Sequence, residues 1–150
     1  LTYQAVLLLL TFIRNGIFVY ESVQLDTGIP EDIEKTIHYI AMNYQNMITL
    51  EDTADKVGLS PTYLSKKFKK VTGKSFTEYI NYIRIRQAQR MLITTDDSIT
   101  KIATDCGFNS SNYFKDCFKN VFGTSPRNFR MVMKDNNAHG EVIIGETEVK

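Results

Sequence analysis

The strongest constraint on the fold of this 150-residue chain is an internal repeat. Residues 58–73, GLSPTYLSKKFKKVTG, and residues 107–123, GFNSSNYFKDCFKNVFG, share a glycine at each end and the same spacing of aromatic and aliphatic residues. A shift of 49 aligns Leu50, Ala54, Val57, Gly58 and Leu59 with Ile99, Ala103, Cys106, Gly107 and Phe108. A shift of 50 aligns Tyr63, Leu64, Phe68, Val71 and Gly73 with Tyr113, Phe114, Phe118, Val121 and Gly123. The chain therefore carries two copies of one motif, with one residue inserted in the second turn.

Each copy predicts a short helix, a glycine turn and a capped second helix, which is the helix-turn-helix layout. Ser60-Pro61 is a helix start, because the hydroxyl caps free amides and proline at the first position loses no hydrogen bond. The small Ala54 and Ala103 allow close packing of the two helices, and the turn glycines supply a positive φ. A helical hairpin without any role in binding nucleic acid has the same pattern, so the repeat alone leaves both interpretations open.

The rest of the central chain also predicts helices. Ile33, Ile37, Ile40, Ala41 and Tyr44 form an apolar stripe, and Ser75 with Glu78 forms a capping box that opens a helix through Thr94. The expected apolar face of that long helix is Phe76, Tyr79, Ile80, Ile83, Ala88, Met91 and Leu92. Ser98 and Asn109 are the expected caps in the second copy, and Ser125-Pro126 starts a last helix through about Lys134. The predicted fold is all-α, with about seven helices in two helix-turn-helix subdomains joined by a long linker helix.

Composition changes along the chain suggest four segments: a helical remnant of an upstream sensing or dimerisation domain (1–22), a linker (23–32), a double helix-turn-helix domain (33–134) and a flexible acidic tail (135–150). Residues 31–134 carry 16 Lys/Arg and 11 Asp/Glu, whereas the tail carries one lysine and four acids. The first residue is leucine, which suggests a fragment of a longer protein. The apolar run 5–13 is shorter than the ~20 residues that span a bilayer. A membrane anchor completed by upstream sequence stays open as the minority interpretation.

The outward face of each second helix is polar. If Leu64, Phe68 and Val71 face inward in the first copy, the residues facing outward are Thr62, Ser65, Lys66 and Lys69. With Phe114, Phe118 and Val121 inward in the second copy, the outward residues are Ser111, Asn112, Lys115, Asp116 and Lys119. Small polar faces of this kind suit a major groove, where side chains meet base edges.

The length of the linker helix favours two such contacts on one duplex. Nineteen residues, Phe76 to Thr94, span about 28 Å. Major grooves on one side of B-DNA recur every ~34 Å, so a rod of this length can hold two recognition helices in adjacent grooves.

The segments RIRQAQRMLITTDDSITKIATDCGF and FKNVFGTSPRNFR closely resemble the DNA-binding domain of AraC/XylS-type transcription regulators, and the likeness extends over roughly residues 33–133. The resemblance implies a bacterial, cytoplasmic, nucleoid-associated regulator that binds operator or promoter DNA. It also implies RNA polymerase as a partner, a homodimer formed through the upstream region, and any small-molecule effector bound outside this fragment. No cofactor is expected.

The resemblance also implies site residues. By position, the base-reading residues are Pro61, Thr62, Ser65 and Lys66 in the first recognition helix (about 61–72) and Ser111, Asn112, Lys115 and Asp116 in the second (about 110–122). Candidates for phosphate contacts are Lys69, Lys119 and Arg130; for Arg84 and Arg86 an ion pair or packing is favoured over a DNA contact, and both interpretations stay open. Asp116 departs from the family pattern, in which that position is commonly basic. Its carboxylate can accept from cytosine, be repelled by phosphate or pair with Lys119, and these options stay open.

Two other functions compete with this interpretation. The same domain type occurs fused to alkyl-transfer DNA repair modules, but Cys106 and Cys117, the only cysteines, lack a zinc-like cluster and lie at core positions of the repeat. We therefore expect no enzyme activity and no metal site. The other rival is the cytosolic DNA-binding end of a membrane-anchored sensor. The operator sequence, the effector and the direction of transcriptional control are left open by the sequence.

Overall fold

The computed structural model describes residues 28–138, and every regular element within that range is an α-helix. In chain order the helices are α1 (Glu31–Asn43), α2 (Leu50–Val57), α3 (Pro61–Thr72), α4 (Phe76–Thr94), α5 (Ile99–Asp105), α6 (Ser111–Phe122) and α7 (Pro126–Ala138). The predicted all-α fold with about seven helices is confirmed for this part of the chain. The predicted upstream helix, most of the linker and most of the acidic tail lie outside the described residues.

Side-chain caps begin the helices where the sequence indicated. Ser60 accepts from the amide of Tyr63, and Ser75 forms the predicted reciprocal capping box with Glu78. Thr49 caps α2 by accepting from the amide of Asp52. Gly58, Gly73 and Gly123 end their helices in the left-handed conformation. These local signals determine the element boundaries because each cap satisfies amides or carbonyls that the helix itself leaves free.

Two boundaries differ from the expectation. The cap of α6 is Ser110, whose hydroxyl accepts from the amide of Tyr113, and not Asn109. Ser110 is the counterpart of Ser60, so the inserted residue lies between Gly107 and the cap. The last helix continues to Ala138, past the expected end at Lys134, because no glycine or proline interrupts the chain before Gly140.

The buried side chains form two separate cores. The first core lies among α1, α2, α3 and the start of α4, and consists of Ile33, Ile40, Ala54, Leu64, Phe68, Phe76 and Ile80. The second lies among the rest of α4, α5, α6 and α7, and consists of Ile85, Ala88, Leu92, Ile102, Ala103, Cys106, Phe108, Phe114, Phe118 and Phe129. We call these two halves the first unit and the second unit; α4 belongs to both.

Helix α4 serves the two cores with different faces. At about 100° per residue, Phe76 and Ile80 point in one direction, and Ile85, Ala88 and Leu92 point about 130° away from it. The residues expected on a single apolar face are all buried or packed against one of the cores, but they form two stripes, and the expected face omitted the fully buried Ile85 because a five-residue step separates the stripes. This change of face allows one continuous helix to carry two independently packed units.

Candidate nucleic-acid interface

Helix α3 presents a lysine-rich surface. The predicted base-reading residues Thr62 and Lys66 are exposed, Pro61 and Ser65 are partly buried, and Lys69 is exposed beside Lys70. No acidic residue occurs from Ser60 to Gly73, so this helix has only positive side-chain charge.

The lysines of α3 are not equivalent. Lys67 forms an ion pair with Asp32 of α1, with 2.6 Å between Nζ and Oδ2, and its ammonium also lies 5.6 Å from the centre of the Tyr63 ring. Lys66 and Lys69 make no hydrogen bond or ion pair with any described residue. Lys67 thus holds α3 against α1, whereas Lys66 and Lys69 are free to meet a ligand.

Helix α6 presents the second polar surface. Asn112, Lys115, Asp116 and Lys119 are all exposed, as the repeat predicted. Within the described part of the chain, no ion pair joins Asp116 to Lys119 or to another cation, so pairing does not neutralise this carboxylate. Ser111 differs from its neighbours, because its hydroxyl oxygen is buried and has no hydrogen-bond partner there.

Two tyrosines on these helices correct the sequence interpretation. Tyr63 and Tyr113 align with each other among the apolar positions of the repeat, which favours burial, yet they are 53% and 50% exposed. Tyr113 accepts a 2.7 Å hydrogen bond at its hydroxyl from the Asn81 amide. Val71 and Val121, expected to face inward, are also exposed, at 37% and 43%.

Arg130, a predicted phosphate contact, is partly buried and donates through Nε to the carbonyl of Leu92 at 3.3 Å. That carbonyl is one of the last in α4, where a cation also meets the negative end of the helix dipole. The Nη2 atom of Arg130 is buried and has no hydrogen-bond partner among the described residues. A phosphate contact by Arg130 therefore remains a prediction, whereas its hydrogen bond to the Leu92 carbonyl joins α7 to the end of α4.

For Arg84 and Arg86 the sequence favours a structural role over a DNA contact. Arg84 donates through Nε to the carbonyl of Tyr44 at 2.7 Å and through Nη2 to that of Asn46 at 2.9 Å. Its guanidinium carbon also lies 5.8 Å from the centre of the Phe108 ring. The preference for a structural role is confirmed for Arg84, although the partners are carbonyls rather than an acid. Arg86 forms no hydrogen bond or ion pair with a described residue.

The thiols are unsuited to nucleophilic chemistry. Burial raises the pKa of Cys106 to about 12, and burial also raises the pKa of Cys117. Reactive cysteines have a depressed pKa instead. Among the described residues, no group of three His, Cys, Asp or Glu side chains is placed to hold a metal, and none of the helices is long and apolar enough to cross a membrane.

Two helix-turn-helix units on one linker helix, each with an exposed polar second helix, define a double helix-turn-helix DNA-binding domain. A family model described as "Helix-turn-helix domain" matches residues 53–131, more than half of the chain. The chain belongs to the AraC-type helix-turn-helix family, which confirms the resemblance seen in the sequence.

Curated relatives agree with this family. The chain is 36% identical over 109 residues to the transcriptional activator RhaS of Mannheimia succiniciproducens, covering 71% of this chain and 41% of the relative. It is 37% identical to the lactose operon transcription activator of Staphylococcus xylosus, over 77% of this chain and 41% of that protein. A third relative, 35% identical, is the bifunctional transcriptional activator and DNA repair enzyme AdaA of Bacillus subtilis, covering 69% of this chain and 49% of AdaA. The chain thus spans less than half the length of these relatives.

Solved structures agree on the fold. An AraC-type transcriptional regulator from Chromobacterium violaceum superposes with a TM-score of 0.67 at 27% identity, covering 72% of this chain and 96% of that one. The DNA-binding domain of AdpA, solved in complex with a target DNA, gives a TM-score of 0.69 at 23% identity, covering 74% of this chain and all of that one. At that identity the second likeness concerns the fold alone.

Proposed function

We propose that this chain is the DNA-binding part of a transcription regulator, and that it binds double-stranded DNA sequence-specifically with α3 and α6 in adjacent major grooves. The observation that carries the proposal is the pairing of two exposed polar helices on one continuous 19-residue helix. That helix is about 28 Å long, close to the ~34 Å between successive major-groove faces.

The charge distribution supports α3 as the main electrostatic contact. Lys66 and Lys69 are exposed and form no ion pair among the described residues. Lys70 and Lys74 follow in the sequence, with no acidic residue between them. Phosphate contacts of this kind supply much of the affinity for DNA and make it salt-dependent. Lys69 and Lys119 are our candidates for phosphate, together with Arg130.

The proposed base-reading residues are the positions that the family resemblance indicates: Pro61, Thr62, Ser65 and Lys66 on α3, and Ser111, Asn112, Lys115 and Asp116 on α6. Five of these positions are exposed, whereas Pro61, Ser65 and Ser111 are partly buried. Asn and Lys are common donors to base edges, and a carboxylate accepts from the amino group of cytosine. Asp116 makes α6 the more selective and the less strongly attracted of the two helices, because its charge opposes the phosphates.

The wider biology is proposed from the family. Relatives of this chain are named as transcriptional activators, which supports a bacterial regulator that acts in the cytoplasm and contacts RNA polymerase. Dimerisation and effector binding are assigned to sequence outside residues 28–138. The similarity to AdaA makes a fused DNA repair enzyme the second candidate. The two thiols of this chain do not support it, because burial raises the pKa of both and a nucleophilic cysteine needs a lowered pKa.

The experiment is selection of binding sites from random double-stranded DNA with the 150-residue chain, followed by hydroxyl-radical footprinting on the selected sequence. We expect two protected stretches about ten base pairs apart on one face of the duplex. Selection that enriches no sequence, or a footprint confined to one groove, would refute the proposed two-groove mode.

A further inference from the structure

The loop between α1 and α2 contacts the second unit directly. Residues 44–46 of this connection, which we call loop 44–46, belong to the first unit, yet the carbonyl oxygens of Tyr44 and Gln45 lie against Gly107 in the turn between α5 and α6. A Cβ at Gly107 would lie 2.7 Å from the Tyr44 oxygen and 2.8 Å from the Gln45 oxygen. Both distances are shorter than side-chain carbons tolerate, so the close approach requires glycine at this position.

Arg84 holds the same loop from the other side. It extends from the middle of α4 and donates to the carbonyls of Tyr44 and Asn46, at 2.7 and 2.9 Å. Its guanidinium stands over the ring of Phe108, the residue next to Gly107 and a member of the second core. One side chain therefore joins the loop of the first unit to a core residue of the second.

The corresponding turn glycine of the first copy provides a comparison. Gly58 is the counterpart of Gly107 in the first copy, and its φ of 71° is similar to the 87° of Gly107. A Cβ at Gly58 would have no atom within 4 Å. The two glycines thus serve the same turn geometry, but only Gly107 is also a contact point between units.

We infer that Arg84, Gly107 and loop 44–46 form a clasp that fixes the orientation of the second unit relative to the first, and thereby the separation of the two DNA half-sites that the chain accepts. The inference rests on the proposed function, since a fixed separation matters only if both units bind one duplex. Two binding modules gain from being linked only when their geometry lets both engage together. A clasp that fixes this geometry restricts binding to one half-site spacing.

The clasp predicts how two variants respond to spacing. The test uses the site selected for the unaltered 150-residue chain, and versions of it with one base pair inserted or removed between the half-sites. Each such change rotates one half-site by about 34° relative to the other, and we expect it to cost the unaltered chain at least about tenfold in affinity. In Gly107→Ala the new methyl group pushes the loop away, and in Arg84→Gln the bridge to both carbonyls is lost. For both variants we expect weaker binding to the original site and a spacing penalty below about threefold.

Matched controls separate the clasp from other effects. Gly58→Ala introduces the same backbone strain at the equivalent turn without touching the loop, and Arg86→Gln removes one positive charge from α4 two residues away. Both controls should keep the full spacing penalty. Circular dichroism and thermal melts establish that each variant is folded; if Gly107→Ala does not fold, Arg84→Gln against Arg86→Gln decides the question.

The outcomes distinguish the two proposals. Folded clasp variants that retain the spacing penalty of the unaltered chain would overturn the clasp and leave the proposed function intact. Selection that yields no preferred sequence for the unaltered chain would overturn the proposed function, and the role of the clasp in DNA spacing with it.

Discussion

At the scale of single residues, neighbouring lysines of α3 have different tasks. Lys67 is held by Asp32, and Lys66, the next residue, makes no hydrogen bond or ion pair in the described chain. Composition and sequence position do not separate the two, because the partner of Lys67 lies 35 residues away. Only the packing of α1 against α3 decides which ammonium is available to DNA.

Lys66→Ala should therefore weaken DNA binding and reduce its dependence on salt. Loss of one positive charge from the exposed surface of α3 lowers the magnitude of the slope of log affinity against log salt concentration by about one. Fluorescence anisotropy titrations at several salt concentrations measure both quantities. Lys35→Ala, which removes an exposed charge from α1, is the control. An affinity and slope equal to those of the control would exclude Lys66 as a DNA contact.

Asp116→Ala should change the sequence preference of the second half-site or strengthen general binding. The carboxylate is exposed and has no ion-pair partner among the described residues, so its removal changes the exposed surface of α6 rather than the fold. Site selection with the variant and with Asp55→Ala, which removes an exposed acid from α2, measures the difference. The same motif and affinity for all three proteins would show that Asp116 has no role in recognition.

The two thiols should react at very different rates in the folded chain. With its pKa raised to about 12 by burial, Cys106 is ionised to only about one part in ten thousand at pH 8, and its sulfur is shielded. Cys117 is only partly buried. Iodoacetamide at pH 8 followed by mass spectrometry should find Cys117 modified first and Cys106 modified only after addition of denaturant. Rapid native modification of Cys106 would contradict its placement in the second core.

At the scale of helices, the sequence predicted most of the helix caps but not the contacts between helices. The capping box of Ser75 and Glu78 is a short-range pattern, and the structure has it as predicted. The cap at Ser110 was missed because the inserted residue shifts the register of the turn. The contacts of Arg84 with loop carbonyls, 38 and 40 residues away, have no sequence pattern at all. Helical periodicity predicted most of the outward polar residues, but not the exposure of Tyr63, Tyr113, Val71 and Val121 or the burial of the Ser111 hydroxyl.

The contact between α1 and α3 gives a prediction about pH. The hydrogen bond from Lys67 lowers the pKa of Asp32 below its ordinary value of 3.8. A carboxylate with a lowered folded-state pKa stabilises the fold fully above the ordinary value, and the contribution is lost as the pH falls through the folded-state pKa. Asp32→Asn should therefore melt below the unaltered chain at pH 7, with a difference that narrows as the pH falls below about 4.

Thermal melts from pH 7 to pH 2.5 make this measurement, and Lys67→Met with the double variant completes a cycle that isolates the pair. A difference that persists unchanged at pH 2.5 would mean that Asp32 acts through something other than its charge.

At the scale of the whole molecule, the two cores predict separable stability. Phe68 and Phe118 are fully buried counterparts, one in each core. Replacing either by alanine should cost about 3–5 kcal/mol of unfolding free energy, through lost burial and the cavity left behind. The two cores share no residue. Phe68→Ala should therefore lower amide hydrogen-exchange protection in α2 and α3 far more than in α5 and α6. Phe118→Ala should lower it in α5 and α6 far more than in α2 and α3. Equal loss across both units in each variant would indicate a single cooperative unit.

The change of face along α4 has a consequence for how such a chain can acquire new binding sites. Any residue added or deleted between Ile80 and Ile85 would turn one unit about the helix axis by about 100° and move it by about 1.5 Å. Length changes in α4 therefore offer only coarse steps, far larger than the rotation between neighbouring base pairs. Changes in the length of α4 therefore cannot adapt the chain gradually to a different half-site spacing. Such adaptation requires changes on the surfaces of α3 and α6, or bending of the DNA.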